Sequence, residues 1–137
     1  MLVQVHWTEL KSQRNSLLDE TLCLYAYLHL TRDWILYIGK ADFQSVWQRM
    51  WGKHKEEIIR DIRREYGIPQ VRVMHGHLKV ARRTSELLSD VESLLINRIK
   101  PYGNQHYMDS RPTSRPGMVV ECTGDWPMTR YRFIDSD

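Results

Sequence analysis

A chain of 137 residues is long enough for one compact domain and too short for two ordinary ones. Apolar residues make up 42% and charged residues 27%, with no low-complexity tract, which excludes a disordered chain and predicts a folded one. No apolar run approaches the ~20 residues of a bilayer-spanning helix, and a formal charge of +3 permits polyanion binding without demanding it.

The N-terminus MLVQVHWTEL has no basic lead, sustained apolar block or small-residue cleavage site, so no secretion signal is expected. Cys23 and Cys122 lie far apart without CxxC spacing. Neither a zinc cluster nor a disulfide framework is predicted, and a reducing, cytoplasmic compartment fits. Residues 1–20 are mixed and polar, with one short helix expected around Trp7–Leu18. Leu22–Leu30 is aromatic and aliphatic with partial alternation and reads as a strand. Thr31-Arg32-Asp33 turns the chain, and Trp34–Ile38 returns as a second strand that Gly39 ends, giving an antiparallel hairpin.

Asp42–Tyr66 has helical periodicity, with Val46, Met50, Ile58 and Ile62 at multiples of four and Trp47, Trp51 and Ile59 widening the stripe. Gly52 divides or kinks it, and Gly67-Ile68-Pro69 stops it. Gln70–Val80 alternates as a third strand. Thr84 or Ser85 caps a helix that runs to about Lys100, before Pro101. Beyond Asn104 the chain is irregular through RPTSRPG, then offers short strands at Met118–Cys122 and Arg130–Ile134 across a GDWP turn.

Two charged residues sit where helical geometry makes them worth weighing. At about 100° per residue, Leu87, Leu88, Val91, Leu95 and Ile99 share one apolar face and Glu92 falls on its border. A carboxylate there snorkels or pairs with Arg98; alternatively it binds a hard divalent cation, which phosphoryl chemistry recruits. Arg49 shares a face with Lys53, either as a solvated basic patch or as a guanidinium that grips phosphate through two donors.

The chain resembles the GIY-YIG nuclease superfamily over roughly Leu22 to Asn104. Tyr37-Ile38-Gly39 stands as the second half-motif and continues as Lys40-Ala41; of the first, Cys23-Leu24-Tyr25 keeps the tyrosine. Arg49 follows in a helix opened by Gln44-Ser45-Val46, and Glu92, Leu95-Ile96, Lys100-Pro101 and Asn104 match the acidic-helix signature.

The resemblance implies a small α/β (α+β) fold: a three-stranded antiparallel central sheet flanked by helices. A short C-terminal β-hairpin extension is added to it here. Residues 1–21 are then an N-terminal extension, 22–104 the catalytic domain, and 105–137 an extension packed on it. The implied activity is metal-dependent endonucleolytic hydrolysis of DNA phosphodiesters, with RNA not excluded; the alternative is a nucleic-acid-binding module that cleaves nothing.

Glu92 would bind one divalent ion, Mg2+ or Mn2+, and Arg49 would neutralise charge growing on the phosphate. Tyr25 would be the general base, helped by Tyr37 and Lys40, because an unperturbed phenol titrates near ~10. Asn104 would fix the turn after the last helix and orient Glu92. The family's histidine, four residues past the arginine, is Lys53 here, with His54 fifth; His54 joins the site only if Gly52 distorts the helix, and otherwise Lys53 contacts phosphate.

Further cations, Arg60, Arg63 and Arg64 with Arg82 and Arg83, either line a DNA path or pair with Glu56, Glu57, Asp61 and Glu65. His75 and His77 read as exposed strand histidines or phosphate contacts rather than metal ligands, and Trp47 and Trp51 as core rather than base-stacking platforms. No membrane partner is expected. A homodimer or a separate target-recognition subunit is compatible with this size.

Overall fold

In the computed structural model, which describes residues 1–11, 16–50, 53–107 and 115–135 (at 53, 54, 106 and 107 the backbone alone), the chain opens with a strand, β1 (Leu2–Leu10). Val3, Val5 and Trp7 point into the core and Leu2, Gln4 and His6 outward. This period of two corrects the expected helix around Trp7–Leu18; only a short 3-10 turn, Ser16–Asp19, is helical in that stretch among the described residues. The other strands are β2 (Cys23–Leu28), β3 (Ile35–Ala41), β4 (Arg72–Lys79), β5 (Val119–Gly124) and β6 (Arg132–Ile134). Three α-helices are described: α1 (Val46–Met50), α2 (Lys53–Tyr66) and α3 (Ser85–Ile99). Gly52, expected to divide α1 from α2, lies outside the described residues, as does Trp51.

The expected three-stranded antiparallel sheet is also corrected. The strands form one curled, mixed, six-stranded sheet in the order β3-β2-β4-β1-β5-β6. β2 runs antiparallel to β3 on one side and to β4 on the other, but β1 continues the sheet, antiparallel to β4 and parallel to β5. The C-terminal pair β5–β6 is therefore part of the main sheet, joined through β1. A parallel β1–β5 pair joins the two ends of the chain, a long-range pairing that no local pattern announces.

Each face of the sheet carries its own core. On one side α3 packs its apolar face over Val5, Trp7, Leu24, Ile38, Met74 and Phe133. On the other, Val46 of α1 and Ile58 and Ile62 of α2 cover Tyr25, Tyr27 and Tyr37. β2 lies between the two, so all six of its residues are buried and its sequence is apolar throughout. Cys23 and Cys122 are free and buried, and burial pushes both thiols up to about 12. No helix among the described residues is long and apolar enough to cross a membrane.

Gly39 lies inside β3 and does not end it; the strand continues to Ala41. It stands opposite Tyr25, whose ring lies across it. A Cβ at Gly39 would fall 2.5 Å from Tyr25 Cζ and 2.6 Å from its Oη, so an added methyl must displace the ring. Gly39→Ala is expected to destabilise the fold by roughly 1–3 kcal/mol, as overpacked sites do. A denaturant midpoint equal to the parent's would show that the ring moves aside freely.

Candidate active site

Three tyrosines from β2 and β3 form the floor of the site. Tyr27 stacks on Tyr37 with ring centroids 5.3 Å apart and planes 26° from parallel, while Tyr25 lies 5.8 Å from Tyr27 and 6.1 Å from Tyr37. Tyr25 and Tyr27 are fully buried. The Tyr25 hydroxyl sits beside Tyr37 without a well-formed hydrogen bond. Burial, above all, then the neighbouring tyrosines, pushes the Tyr25 phenol far above its ordinary range, and the Arg49 charge offsets this only in part.

Lys55 closes the floor from α2. Its ammonium donates to Tyr37 Oη at 2.6 Å and lies 4.9 Å from that ring's centroid. Only 5% of Lys55 is exposed. Burial first, then repulsion from Arg49, lowers its pKa to about 8, against the attraction of Glu92. Sequence reasoning missed this residue, although a signal was present. Lys55 precedes Ile58 by three and Ile62 by seven, so it sits within the apolar stripe of α2. The border argument applied to Glu92 would have found it.

Arg49 reaches the site from α1, a five-residue helix held by a reciprocal capping box. Gln48 N donates to Ser45 Oγ at 3.3 Å and Ser45 N donates to Gln48 Oε1 at 2.9 Å. The exposed Arg49 guanidinium acts electrostatically on Tyr25, Tyr27, Lys55 and Glu92 together. Glu92 comes from the middle of α3, and burial raises its carboxyl to about 7 against the pull of Lys40, Lys55 and Arg49; nearby Asp42 adds to the rise. Lys40 donates to Ser89 Oγ at 2.5 Å, so it serves the α3 side of the cluster and Lys55, not Lys40, touches the tyrosines. Asp42, also missed, accepts from Ser85 Oγ at 2.5 Å through one oxygen, while its other oxygen is buried without a hydrogen-bond partner.

Asn104 has a different task from orienting Glu92. It is 2% exposed, accepts the Ile38 N–H at 2.8 Å and donates to the Ile38 carbonyl at 2.9 Å. Its amide thus pairs with the outer edge of β3 between Tyr37 and Gly39, in place of another strand. The preceding Gly103 permits the approach, since a Cβ there would lie 2.7 Å from the Leu36 carbonyl oxygen.

The fold therefore brings together Tyr25, Tyr37, Lys40, Arg49 and Glu92, adds Lys55, Asp42 and Tyr27, and places Asn104 behind β3. Arg60 and Arg64 are not brought in. They lie about 140° and 180° around α2 from Lys55 and are exposed on its far side. The side chains of Lys53 and His54 lie outside the described residues.

His75, expected at the surface, is 1% exposed, with Nε2 3.3 Å from Glu20 Oε2 and Arg83 on the same carboxylate at 4.0 Å. Trp47, expected in the core, is 40% exposed.

No three or more His, Cys, Asp and Glu side chains among the described residues converge as metal ligands. A fully caged ion does not fit. A magnesium-type ion, which keeps several waters and takes one or two carboxylates plus substrate phosphates, does fit. Glu92 accepts no hydrogen bond from another described residue, and Asp42 has a buried oxygen to spare. Comparison with protein-family models, with curated proteins and with solved structures finds no match to this chain.

The raised Glu92 pKa has a definite thermodynamic sign. Between about 4.5 and about 7 the folded protein holds a proton that the unfolded chain has released, so this group's contribution to stability falls as pH rises through that window. Glu92→Gln is expected to stabilise the metal-free protein at pH 8 by roughly 1–3 kcal/mol, with a smaller gain at pH 5. Equal gains at the two pH values, measured by denaturant unfolding, would contradict the assignment.

Proposed function

We propose that this protein is a metal-dependent nuclease that hydrolyses phosphodiester bonds in nucleic acid, DNA in the first instance. The observation that carries the reading is the convergence of Arg49, Lys40 and Lys55 on Glu92 and its neighbour Asp42, with Lys55 bonded to the stacked Tyr37. Three cations facing two carboxylates leave positive charge for a phosphate to fill. The ordered residues that resemble the GIY-YIG superfamily are the same residues that meet here.

In this reading Glu92, with Asp42 close by, holds a divalent ion. That ion, when bound, supplies Lewis-acid polarisation of the phosphate and offsets its charge. Arg49 takes a non-bridging oxygen at the exposed mouth and meets the charge that grows on it during attack. The proton is better handled by Lys55 than by Tyr25, whose hydroxyl is sealed from solvent and whose phenol resists ionisation. Tyr37 accepts a proton from the attacking water as its own passes to neutral Lys55. The water oxygen forms the new bond to phosphorus, and the departing ester oxygen takes a proton from solvent. Tyr25 holds Tyr37 in place and fills the space over Gly39.

A non-cleaving nucleic-acid-binding module is the second reading. The specific observation in its favour is the sealed Tyr25 hydroxyl beside a carboxyl raised to about 7, half protonated near neutrality. A magnesium-dependent plasmid-nicking assay separates the two. Parent cleavage lost on Glu92→Ala, and reduced roughly 10²–10³-fold by Arg49→Ala, is the expected result. Salt-sensitive binding without turnover would select the module.

The pH profile tests the proton acceptor. Ionised Glu92, above about 7, and neutral Lys55, above about 8, are both required, so the rate rises with pH from 6 to beyond 8. Lys55→Arg keeps the charge but cannot accept the proton; it should lower kcat by roughly 10²–10⁴ and leave only the rise near 7. A parent rate that is flat from pH 6 to 9 would remove Lys55 from this role.

A further inference from the structure

Beside the tyrosine floor, a cavity of about 480 Å³ that Glu92 does not line opens between α1, α2 and the sheet. That size lies within the ~300–1,000 Å³ usual for small-ligand clefts. Tyr27 forms one wall, so one residue is shared by the cavity and the stack with Tyr37. Trp47 and Met50 of α1 and Ile59 of α2 add apolar surface from the helices, and Leu10, Val71 and Val73 from the sheet side. Arg49 lies between Trp47 and Met50 in sequence, so α1 serves both the cavity and the proposed phosphate site.

Two features make this more than an apolar groove. Trp47, an indole left 40% exposed, presents a flat apolar surface in the cavity wall. Lys11 and Arg63 line the cavity and are exposed. The other two charges there, Glu9 and Arg72, are bonded to each other at 2.5 Å. The surplus charge is thus positive. A flat ring carried on an anionic chain matches an exposed indole and two cations at once.

We propose that this cavity takes one unstacked nucleobase of the strand held for cleavage, with Trp47 as the stacking platform and Lys11 and Arg63 on the neighbouring phosphates. The inference rests on the nuclease reading and narrows its substrate. A base inside an intact duplex cannot enter, so the preferred substrate is single-stranded nucleic acid or a duplex with an unpaired nucleotide next to the scissile bond.

The test uses the full chain in EDTA, so that binding is read without cleavage. The probes are a single-stranded DNA dodecamer carrying one 2-aminopurine, the same oligonucleotide with abasic sites placed at each position in turn, and its blunt duplex. The parent is expected to bind the intact strand more tightly than the duplex. An abasic site at one register should weaken binding roughly 5–100-fold, the worth of one stacked base. Trp47→Ala should erase that register dependence and the change in 2-aminopurine emission, and Trp47→Phe should restore most of both.

Equal binding of intact and abasic strands by the parent overturns the cavity inference, even where magnesium-dependent cleavage is present. Base-dependent binding that needs Trp47, with no cleavage of any strand in magnesium, supports the cavity and overturns the nuclease reading alone. No binding of any oligonucleotide overturns both.

Discussion

A lysine ammonium buried against a tyrosine hydroxyl is the constraint around which the site is built. Lys55 has lost most of its water, and the groups that replace it are Tyr37 Oη at 2.6 Å and the Tyr37 ring face. A buried cation is tolerated only where polar partners and opposite charge replace hydration. Here the opposite charge is Glu92, itself held short of full ionisation by burial. Burial lowers the Lys55 pKa to about 8 and raises that of Glu92 to about 7, while the attraction between the two groups opposes both shifts.

That arrangement depends on β3, which is the edge strand of the sheet and so has no strand to hold its outer side. Two devices fix it. The Asn104 amide pairs with both backbone groups of Ile38, and the Tyr25 ring packs across Gly39 from the neighbouring strand. Tyr37 and Lys40, on either side of these points, therefore have settled positions on opposite faces of the strand. The same devices protect an exposed edge from pairing with another chain. Asn104 acts through the backbone of β3, where its bonds to Ile38 hold the strand beside Tyr37.

The enlargement of the sheet has a consequence for stability more than for chemistry. β1 lies between β4 and β5, fully buried at Val3, Val5 and Trp7, and Glu9 N donates to Asp125 at 2.9 Å across the length of the chain. The α3 core can close only when the C-terminal Phe133 and Val120 are in place beside it. The site residues themselves come from β2, β3, α1, α2 and α3, all within the middle of the chain. The terminal strands complete the core on which α3, and so Glu92, is seated.

The amino-acid sequence by itself determined what neighbouring residues can settle among themselves. The β2–β3 hairpin, the strand around His75, the breaks at Gly67-Ile68-Pro69 and Pro101, and the Thr84 cap of α3 follow from turn chemistry, side-chain period and short-range hydrogen bonds. Tyr25, Tyr37, Arg49 and Glu92 were singled out by their order and spacing along the chain, and the fold places them in one neighbourhood.

Only the tertiary structure decided which strands become neighbours, since a period of two shows that a strand has two faces but not what pairs with its edges. The alternation of Val3, Val5 and Trp7 with Gln4 and His6 marks β1 locally, but its place between β4 and β5, and with it the size of the sheet, does not follow from that alternation. Burial is likewise a property of the assembled core. His75 is enclosed and Trp47 is left exposed by elements far away in the chain, which no window of local sequence contains, whereas the place of Lys55 in the α2 stripe is a local signal.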